Sequence, residues 1–347
     1  MEILINRDKD FFRTFKDNET CIKYLELKRW NNIPTCTRCN NNHNNYYLKN
    51  RKEYECSKCK KQFTVLQGTI FHKTKVELEN WFYAIYLVAT SKKRISSISL
   101  SEKIGVQQRT AWLMLHKIRE TMKDENTKRV LSGIVECDEA YVGSKPNRDQ
   151  RLKKKMDDYQ LKHNKPYEHL KGIFGAIERE SGLIVLRKFG YVQNCFSKKM
   201  AKKLLQKHVT PDSIINSDNH KAYKQLKHLF QKHDIINKHR EVTRKKKDGT
   251  KYKLKATSFT DGKIHVNGIE NVWKQFKIVV NGTFHHFSYK HTDRYLNEYA
   301  YIWNRKKMNF SYIDILEDII QNSFDKMITY DQLICWDKNY QVRPWML

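Results

Sequence analysis

The sequence predicts a mixed α/β protein whose α/β part follows a small cysteine-bearing segment and a helical segment. Three observations carry this reading. Two Cys-x-x-Cys pairs, Cys36/Cys39 and Cys56/Cys59, are separated by sixteen residues of mostly polar chain. Apolar residues recur at helical spacing from Leu78 to Met122. At Leu131 the period shortens to that of strands, which then alternate with helical patterns.

Composition sets the bounds. A chain of 347 residues has room for two or three domains and for a sizeable core. Lys+Arg number 67 against 38 Asp+Glu, a formal charge of +29, so a polyanionic partner is expected. With 39% hydrophobic and 12% aromatic residues, full disorder is excluded. The longest strongly apolar run, Trp81 to Thr90, falls well short of the roughly 20 residues that cross a bilayer, so no membrane partner is expected. Asp8, Asp10 and Glu19 near Met1 are unlike a signal peptide. The expected location is cytoplasmic and nucleoid-associated in a bacterium, or nuclear in a eukaryote. Eight cysteines are too few for a disulfide scaffold in so long a chain. Cys21, Cys137, Cys195 and Cys335 lack ligand-like spacing and read as buried thiols.

In chain order, residues 1–30 form a helical lead-in, with Phe11, Phe15, Cys21, Ile22 and Leu25 at three- and four-residue steps. Residues 31–70 read as two short hairpins, each ending in a Cys-x-x-Cys knuckle. The spacing of Cys36, Cys39, Cys56 and Cys59 falls within that of a four-cysteine zinc ribbon. Four thiolates around tetrahedral Zn²⁺ leave no open position, so the metal is structural and folds a segment with little core. Redox Cys-x-x-Cys pairs or free thiols are the alternative.

Residues 71–128 form a helical domain. Leu78 to Thr90 is densely apolar, and Ile95 to Met122 reads as two helices punctuated at Gly105. Ile98, Leu100, Ile104, Val106, Trp112, Leu115 and Ile118 are expected to face inward. The pair resembles a helix-turn-helix whose second helix presents Gln107, Gln108, Arg109 and Thr110, residue types that contact bases or phosphates. An ordinary helical hairpin fits the same pattern, and the +29 charge favours DNA.

Residues 129–310 form the α/β domain. Gly133 to Asp138 is a strand, Lys171 to Ile177 and Gly182 to Gly190 a hairpin, Lys198 to His208 a helix, Ile214 to Asp218 a strand and His220 to Gln231 a helix. Lys145 to His169 and His239 to Gly262 are rich in Lys and Arg and read as mobile basic loops. Residues 311–347 supply a helix, Tyr312 to Met327, and a tail with Trp336 and Trp345.

Acids are scarce in this chain, so their placement is informative. Asp138 ends the first strand on the face of Glu136, with Glu139 on the other; Asp218 ends the second. Glu270 shares a helix with the apolar stripe Ile269, Val272, Trp273 and Phe276, and Lys277 lies two turns later on the face of Glu270. Three acids from distant elements are what a two-metal phosphoryl-transfer site requires.

The motifs extend to Trp81-Phe82-Tyr83-Ala84-Ile85-Tyr86-Leu87, Thr110-Ala111-Trp112-x-x-Leu115-His116-x-Ile118-Arg119, Val135-Glu136-Cys137-Asp138-Glu139-Ala140-Tyr141-Val142-Gly143, Ser217-Asp218-x-x-x-Ala222-Tyr223, His265-x-Asn267-x-Ile269-Glu270-x-x-Trp273-x-x-x-Lys277 and Gly282-Thr283-Phe284-His285-His286-x-Ser288. With the two Cys-x-x-Cys pairs, and in this order over residues 15–310, they resemble the zinc-ribbon DDE transposases of bacterial insertion sequences of the ISXO type, relatives of the eukaryotic Merlin elements. The resemblance implies a ribonuclease H-like catalytic core that uses Mg²⁺ or Mn²⁺. It also implies binding to terminal inverted repeats, phosphodiester hydrolysis and strand transfer into target DNA. By position the catalytic and metal-holding acids are Asp138, Asp218 and Glu270, with Lys277 as the accompanying base. A homo-oligomer on DNA is expected. The chain departs from the family pattern at Asn219, where an acid is common, and at Ser144, where a second glycine is common. Asn267 competes for part of the role of Glu270, and His265, His285 and His286 are candidate DNA contacts. The rival readings are a non-catalytic DNA-binding protein, decayed or domesticated, and a covalent nuclease using Tyr295 or Tyr299 with Arg294 and Arg305.

Overall fold

The computed structural model describes residues 8–143, 150–163, 170–190, 196–223, 226, 228–236, 239–245, 249–257, 260–261 and 264–334. They divide into two compact units, one within Met1–Met122 and Phe310–Leu347, the other within Lys123–Asn309.

The first unit opens with α1 (Asp8–Thr14) and α2 (Asn18–Trp30). Asp17 caps α2 by accepting from the Thr20 N–H at 2.8 Å, and Asn31 ends it in the left-handed region at φ 49°. A small sheet of β1 (Tyr46–Leu48), β2 (Glu53–Glu55) and β3 (Gln62–Phe63) follows, then α3 (Leu78–Thr90), α4 (Ser97–Ile104) and α5 (Gln108–Thr121). Nine of the thirteen side chains of α3 are buried, which makes it the axis of this unit. Phe82 on α3 packs against Phe15 at 4.7 Å between ring centroids, and Phe15 against Tyr24 at 5.3 Å. Ser96 caps α4 through the Ser99 N–H at 3.1 Å; Gly105 stops the helix at φ 65°, a backbone that side chains disfavour.

The second unit carries α6 (Lys123–Lys128), β4 (Ile134–Val142), α7 (Gln150–His163), the hairpin β5 (Lys171–Glu178) and β6 (Ile184–Gly190), α8 (Lys198–His208), β7 (Ile214–Asp218) and β8 (Lys232–Ile236). A second hairpin, β9 (His239–Lys245) and β10 (Lys251–Thr257), leads to β11 (Thr260–Asp261), β12 (Ile264–His265), α9 (Asn267–Val279) and α10 (Thr292–Lys307). The main sheet has the order β6-β5-β4-β7-β8. Its first three strands are antiparallel, while β4, β7 and β8 are parallel. This mixed sheet with helices on both faces is a ribonuclease H-like core.

Strand alternation sorts the two faces. Val135, Cys137, Phe174, Ala176 and Ile215 pack with α8 and Tyr223 on one side. Ala140, Val142, Ile173 and Ile177 pack with α9 and α10 on the other. Two glycines set how closely α9 approaches. A Cβ on Gly175, which pairs with Asp138, would lie 2.5 Å from the Trp273 ring; one on Gly268 would lie 2.8 Å from Glu136 Oε2. The outer edge of β6 is closed by side chains. Asn126 accepts from Leu186 N–H at 2.9 Å and donates to its carbonyl at 2.6 Å, and Asn304 does the same for Ile184 at 2.8 and 2.9 Å.

The chain then returns to the first unit with α11 (Tyr312–Gln321) and α12 (Tyr330–Ile334). A capping box of Ser311 and Asp314 starts α11, which buries Ile315, Leu316, Ile319 and Ile320. Its Glu317 accepts from Tyr24 Oη at 2.9 Å and Lys28 Nζ at 3.0 Å, tying α11 to α2.

Several expectations are corrected. Asp138 does not end its strand: β4 runs on to Val142 because β5 pairs with it through Val142↔Lys171, although pairing with β7 stops at Cys137↔Ser217. The cysteine segment holds one three-stranded sheet, since β2 pairs with both β1 and β3. Ile98 is 61% exposed, on the side of α4 away from Leu100 and Ile104. Residues 221–223 form turns where a helix is expected, and β8 is a strand that its mixed composition conceals. The basic stretches contain α7 and the β9–β10 hairpin rather than loops throughout. The helix from Tyr312 stops at Gln321. Ser144, Cys195, Cys335, Trp336 and Trp345 lie outside the described residues.

Replacing Gly175 with Ala forces a Cβ against the Trp273 ring and should cost about 1–3 kcal/mol, read as a lowered Tm in thermal unfolding. Adding Trp273→Leu removes the opposing ring, so the two losses should combine to less than their sum. Strict additivity would show that the ring does not set the spacing.

Candidate active site and metal centre

Cys36, Cys39, Cys56 and Cys59 come together, each offering a sulfur within 4.8 Å of the others. The two knuckles fold alike. The Cys36 N–H donates to Asn41 O and its carbonyl accepts from Asn40 N–H, both at 2.9 Å; Cys56 repeats this with Lys61 at 3.0 Å and Lys60 at 2.9 Å. Asn40 and Lys60 occupy matching positive φ values of 56° and 55°. Burial pushes the Cys56 thiol up, but the backbone N–H groups of Cys59 and Lys58 and the neighbouring thiols outweigh it, holding Cys56 down to about 6. The all-sulfur set, with its atoms this close together, fits structural Zn²⁺, and His72 is not part of the group. Cys21 and Cys137 are buried free thiols.

In the second unit Asp138, Glu139 and Asp218 offer carboxylate oxygens within 4.8 Å of one another. Asp138 is buried; Glu139 and Asp218 are half-buried. Asp218 accepts from the His220 N–H at 3.0 Å, which orders the turn after β7. Glu139 accepts from Tyr223 Oη at 3.1 Å, and burial, then the neighbouring acids Glu139 and Asp138, push that phenol well above its ordinary value and keep it a neutral donor. Hard oxygen donors at this spacing suit a divalent cation such as Mg²⁺ or Mn²⁺.

Glu139 is the member that strand alternation argued away. Its backbone lies beyond the last β4–β7 pair, Cys137↔Ser217, where no β7 residue is paired with β4 to separate the two faces, and its carboxylate comes within 4.8 Å of those of Asp138 and Asp218. The adjacency Asp138-Glu139 in the sequence was the available signal.

Glu270 is half-buried in the first turn of α9 and lies outside the 4.8 Å group; Lys277 is exposed in the last turn. The start of α9 is tied to β4. Glu136, 1% exposed, accepts through Oε2 from the Gly268 N–H at 2.7 Å and the Ile269 N–H at 3.2 Å. Its Oε1 accepts from Arg179 Nε at 3.1 Å and Nη2 at 3.0 Å, and lies 3.0 Å from His265 Nδ1. Arg179 Nη2 and Asn216 Nδ2 both donate to the His265 carbonyl, at 3.0 and 3.3 Å. His265 thus has a structural position inside this network. His285 and His286 are exposed.

At the start of α5, Gln107, Gln108 and Arg109 are exposed and Thr110 is half-buried. Gln108 Nε2 donates to Ser97 Oγ at 2.7 Å, joining α5 to α4, and the Arg109 guanidinium stacks 4.5 Å from the Tyr330 ring. Tyr295 and Tyr299 are buried in the core of the second unit, against Phe287 at 4.6 Å and Phe276 at 5.0 Å. Their burial removes them as exposed nucleophiles. Among the described residues no helix is long and apolar enough to cross a membrane.

Residues 130–304 match the model of the ISXO2-like transposase domain, and residues 16–62 that of the transposase zinc-ribbon domain. The chain is also 27% identical over 132 residues to an uncharacterized protein in transposable element ISH50 of Halobacterium salinarum, covering 38% of this chain. That match spans 44% of the relative's length.

Because the ribbon has so little core, removing its metal should unfold it while leaving the α/β unit intact. Elemental analysis of the purified protein should find one zinc per chain, and chelation or Cys36→Ser should open residues 30–65 to protease. A metal-free preparation with a resistant ribbon would contradict the assignment.

Proposed function

We propose that this chain, which belongs to the ISXO2-like transposase family, binds the terminal inverted repeats of its own mobile element and cuts and joins DNA there. It hydrolyses a phosphodiester at the element's end, leaving a 3′-hydroxyl, and that hydroxyl attacks a phosphodiester of target DNA. The observation that carries this reading is the convergence of Asp138, Glu139 and Asp218 where the pairing of the adjacent inner strands β4 and β7 ends, in a chain of charge +29.

The chain's residues divide the work. Asp138 and Asp218, from adjacent strands, hold the cations; Glu139 adds a third carboxylate; Glu270, at the start of α9, completes the set, with Asn267 beside it in the same turn. A divalent cation held by these acids would supply Lewis-acid stabilisation of charge on the phosphoryl oxygens and would make water there a better nucleophile. Lys277 offers its ammonium to a DNA phosphate. Gln107, Gln108, Arg109 and Thr110 meet the terminal repeat, and the transposase acts as a homo-oligomer that brings two ends together. The presence of the clustered acids favours this over a decayed DNA-binding protein.

Asn in place of Asp138 or Asp218 should reduce end cleavage by about a thousandfold or more, roughly 4 kcal/mol of transition-state stabilisation. Affinity for the ends should hold or rise as repulsion between acid and phosphate is removed. Glu270→Gln should act in the same direction. The measurement is cleavage and gel shift on one preparation, with DNA flanking the element's own gene, in Mg²⁺, Mn²⁺ and Ca²⁺. Native-rate cutting by well-folded Asp138→Asn and Asp218→Asn proteins would overturn the assignment.

Binding should weaken steeply with salt as counterions are released. Arg109→Ala should lower affinity for the terminal repeat more than for unrelated DNA, and equal losses on both would count against base reading by α5.

A further inference from the structure

We infer that Glu136 is a positioning residue that holds the start of α9, and with it Glu270, in register with Asp138; this rests on the metal-holding reading above. Glu136 and Asp138 are two residues apart on β4 and share its α9-facing side. The two carboxylates have different surroundings. Asp138 belongs to the acidic group where the β4–β7 pairing ends, whereas Glu136 stands outside it, with its oxygens accepting from Arg179 and from α9 and lying against His265.

One oxygen takes two free N–H groups in the first turn of α9, those of Gly268 and Ile269, and Glu270 is the next residue. Negative charge at a helix N-terminus is favourable both as a hydrogen-bond acceptor and against the helix dipole. The other oxygen takes the fork of Arg179, which follows β5, and lies against His265 Nδ1 on β12. Arg179 also clamps the His265 carbonyl, so the strand that leads into α9 is held by the same guanidinium. Only glycine at 268 lets the carboxylate come this close.

This arrangement requires an acceptor on both sides of one side chain. A glutamine at 136 is nearly isosteric but carries an amide NH₂, which must face either the α9 N–H groups or Arg179, donor against donor. One half of the connection therefore opens. With Arg179 on one side and the helix end on the other, a carboxylate is the group that satisfies both.

The test uses the full-length zinc-loaded protein without DNA, with Mn²⁺ as probe. Glu136→Gln should weaken Mn²⁺ binding, measured by calorimetry, about tenfold or more, the usual effect of removing a partner that orients a metal-binding group. Hydrogen exchange of the segment 266–272 should accelerate, while that of α11 stays unchanged. Arg179→Lys keeps the charge and loses the fork, so it should show the same pattern at smaller size; it also serves if Glu136→Gln folds poorly.

Val185→Ala, in the cluster on the opposite face, should lower the Tm without changing Mn²⁺ affinity. The inference is overturned if Glu136→Gln and Arg179→Lys bind Mn²⁺ as the wild type does, or if Val185→Ala at a matched Tm loses as much. Asp138→Asn is the reference and should abolish the Mn²⁺ signal. Wild-type binding by Asp138→Asn would instead remove the metal site itself and the inference with it.

Discussion

The buried carboxylate of Glu136 is the point on which the α/β unit turns. It is 1% exposed, yet it meets the backbone of α9, the guanidinium of Arg179 and the ring of His265. A charge so placed is costly unless every lone pair has a donor. Here the donors, Arg179, Gly268 and Ile269, come from segments far apart in the chain, and His265 Nδ1 lies 3.0 Å from the same carboxylate, so one side chain of β4 meets the hairpin, the short β12 strand and a helix. Asn216 extends the same network to β7 through the His265 carbonyl. The polar interior and the arrangement of the acids therefore have a common origin.

Packing reinforces this from the apolar side. The stripe Ile269, Val272, Trp273 and Phe276 is buried against the sheet, and Gly175 lets the Trp273 ring lie almost on the β5 backbone. Gly175 is the residue across from Asp138. The close approach of α9 is thus measured from the same register position that carries the central acid. Along the far edge, Asn126 and Asn304 satisfy the outward hydrogen-bonding groups of Leu186 and Ile184, which blunts that part of β6 against further strand pairing.

The first unit has a different basis. Its ribbon contains short strands and half-exposed aromatics, and its knuckles converge four sulfurs where a larger domain would place a core. Its helical part is apolar around α3, and it is built from both ends of the chain: Tyr24 and Lys28 near the beginning bind Glu317 near the end. The stacking of Arg109 on Tyr330 is a further link of that kind, between the α5 start and the C-terminal helix.

The sequence by itself determined whatever rests on local spacing. The knuckle cysteines, the break at Gly105, the β5–β6 hairpin, β7, α8 and the apolar stripe of α9 were legible, because each is encoded by residues within a few positions of one another. Asp138 and Asp218 were legible as acids beside apolar strands, and the order of motifs pointed to the family. Other features were decided by tertiary structure. Lys232-His233-Asp234-Ile235-Ile236 carries little strand pattern and becomes β8 by pairing with β7. The β9–β10 hairpin forms from a basic stretch whose composition suggested a loop. Glu139 joins Asp138 and Asp218 because β7 stops pairing just before it. Glu136 looked like one more acid on the strand and is instead the tie to α9. For Glu139 and Glu136 the deciding partners lie tens of residues away, and the hydrogen bonds that distinguish a buried acceptor from a solvated acid exist only once those segments meet.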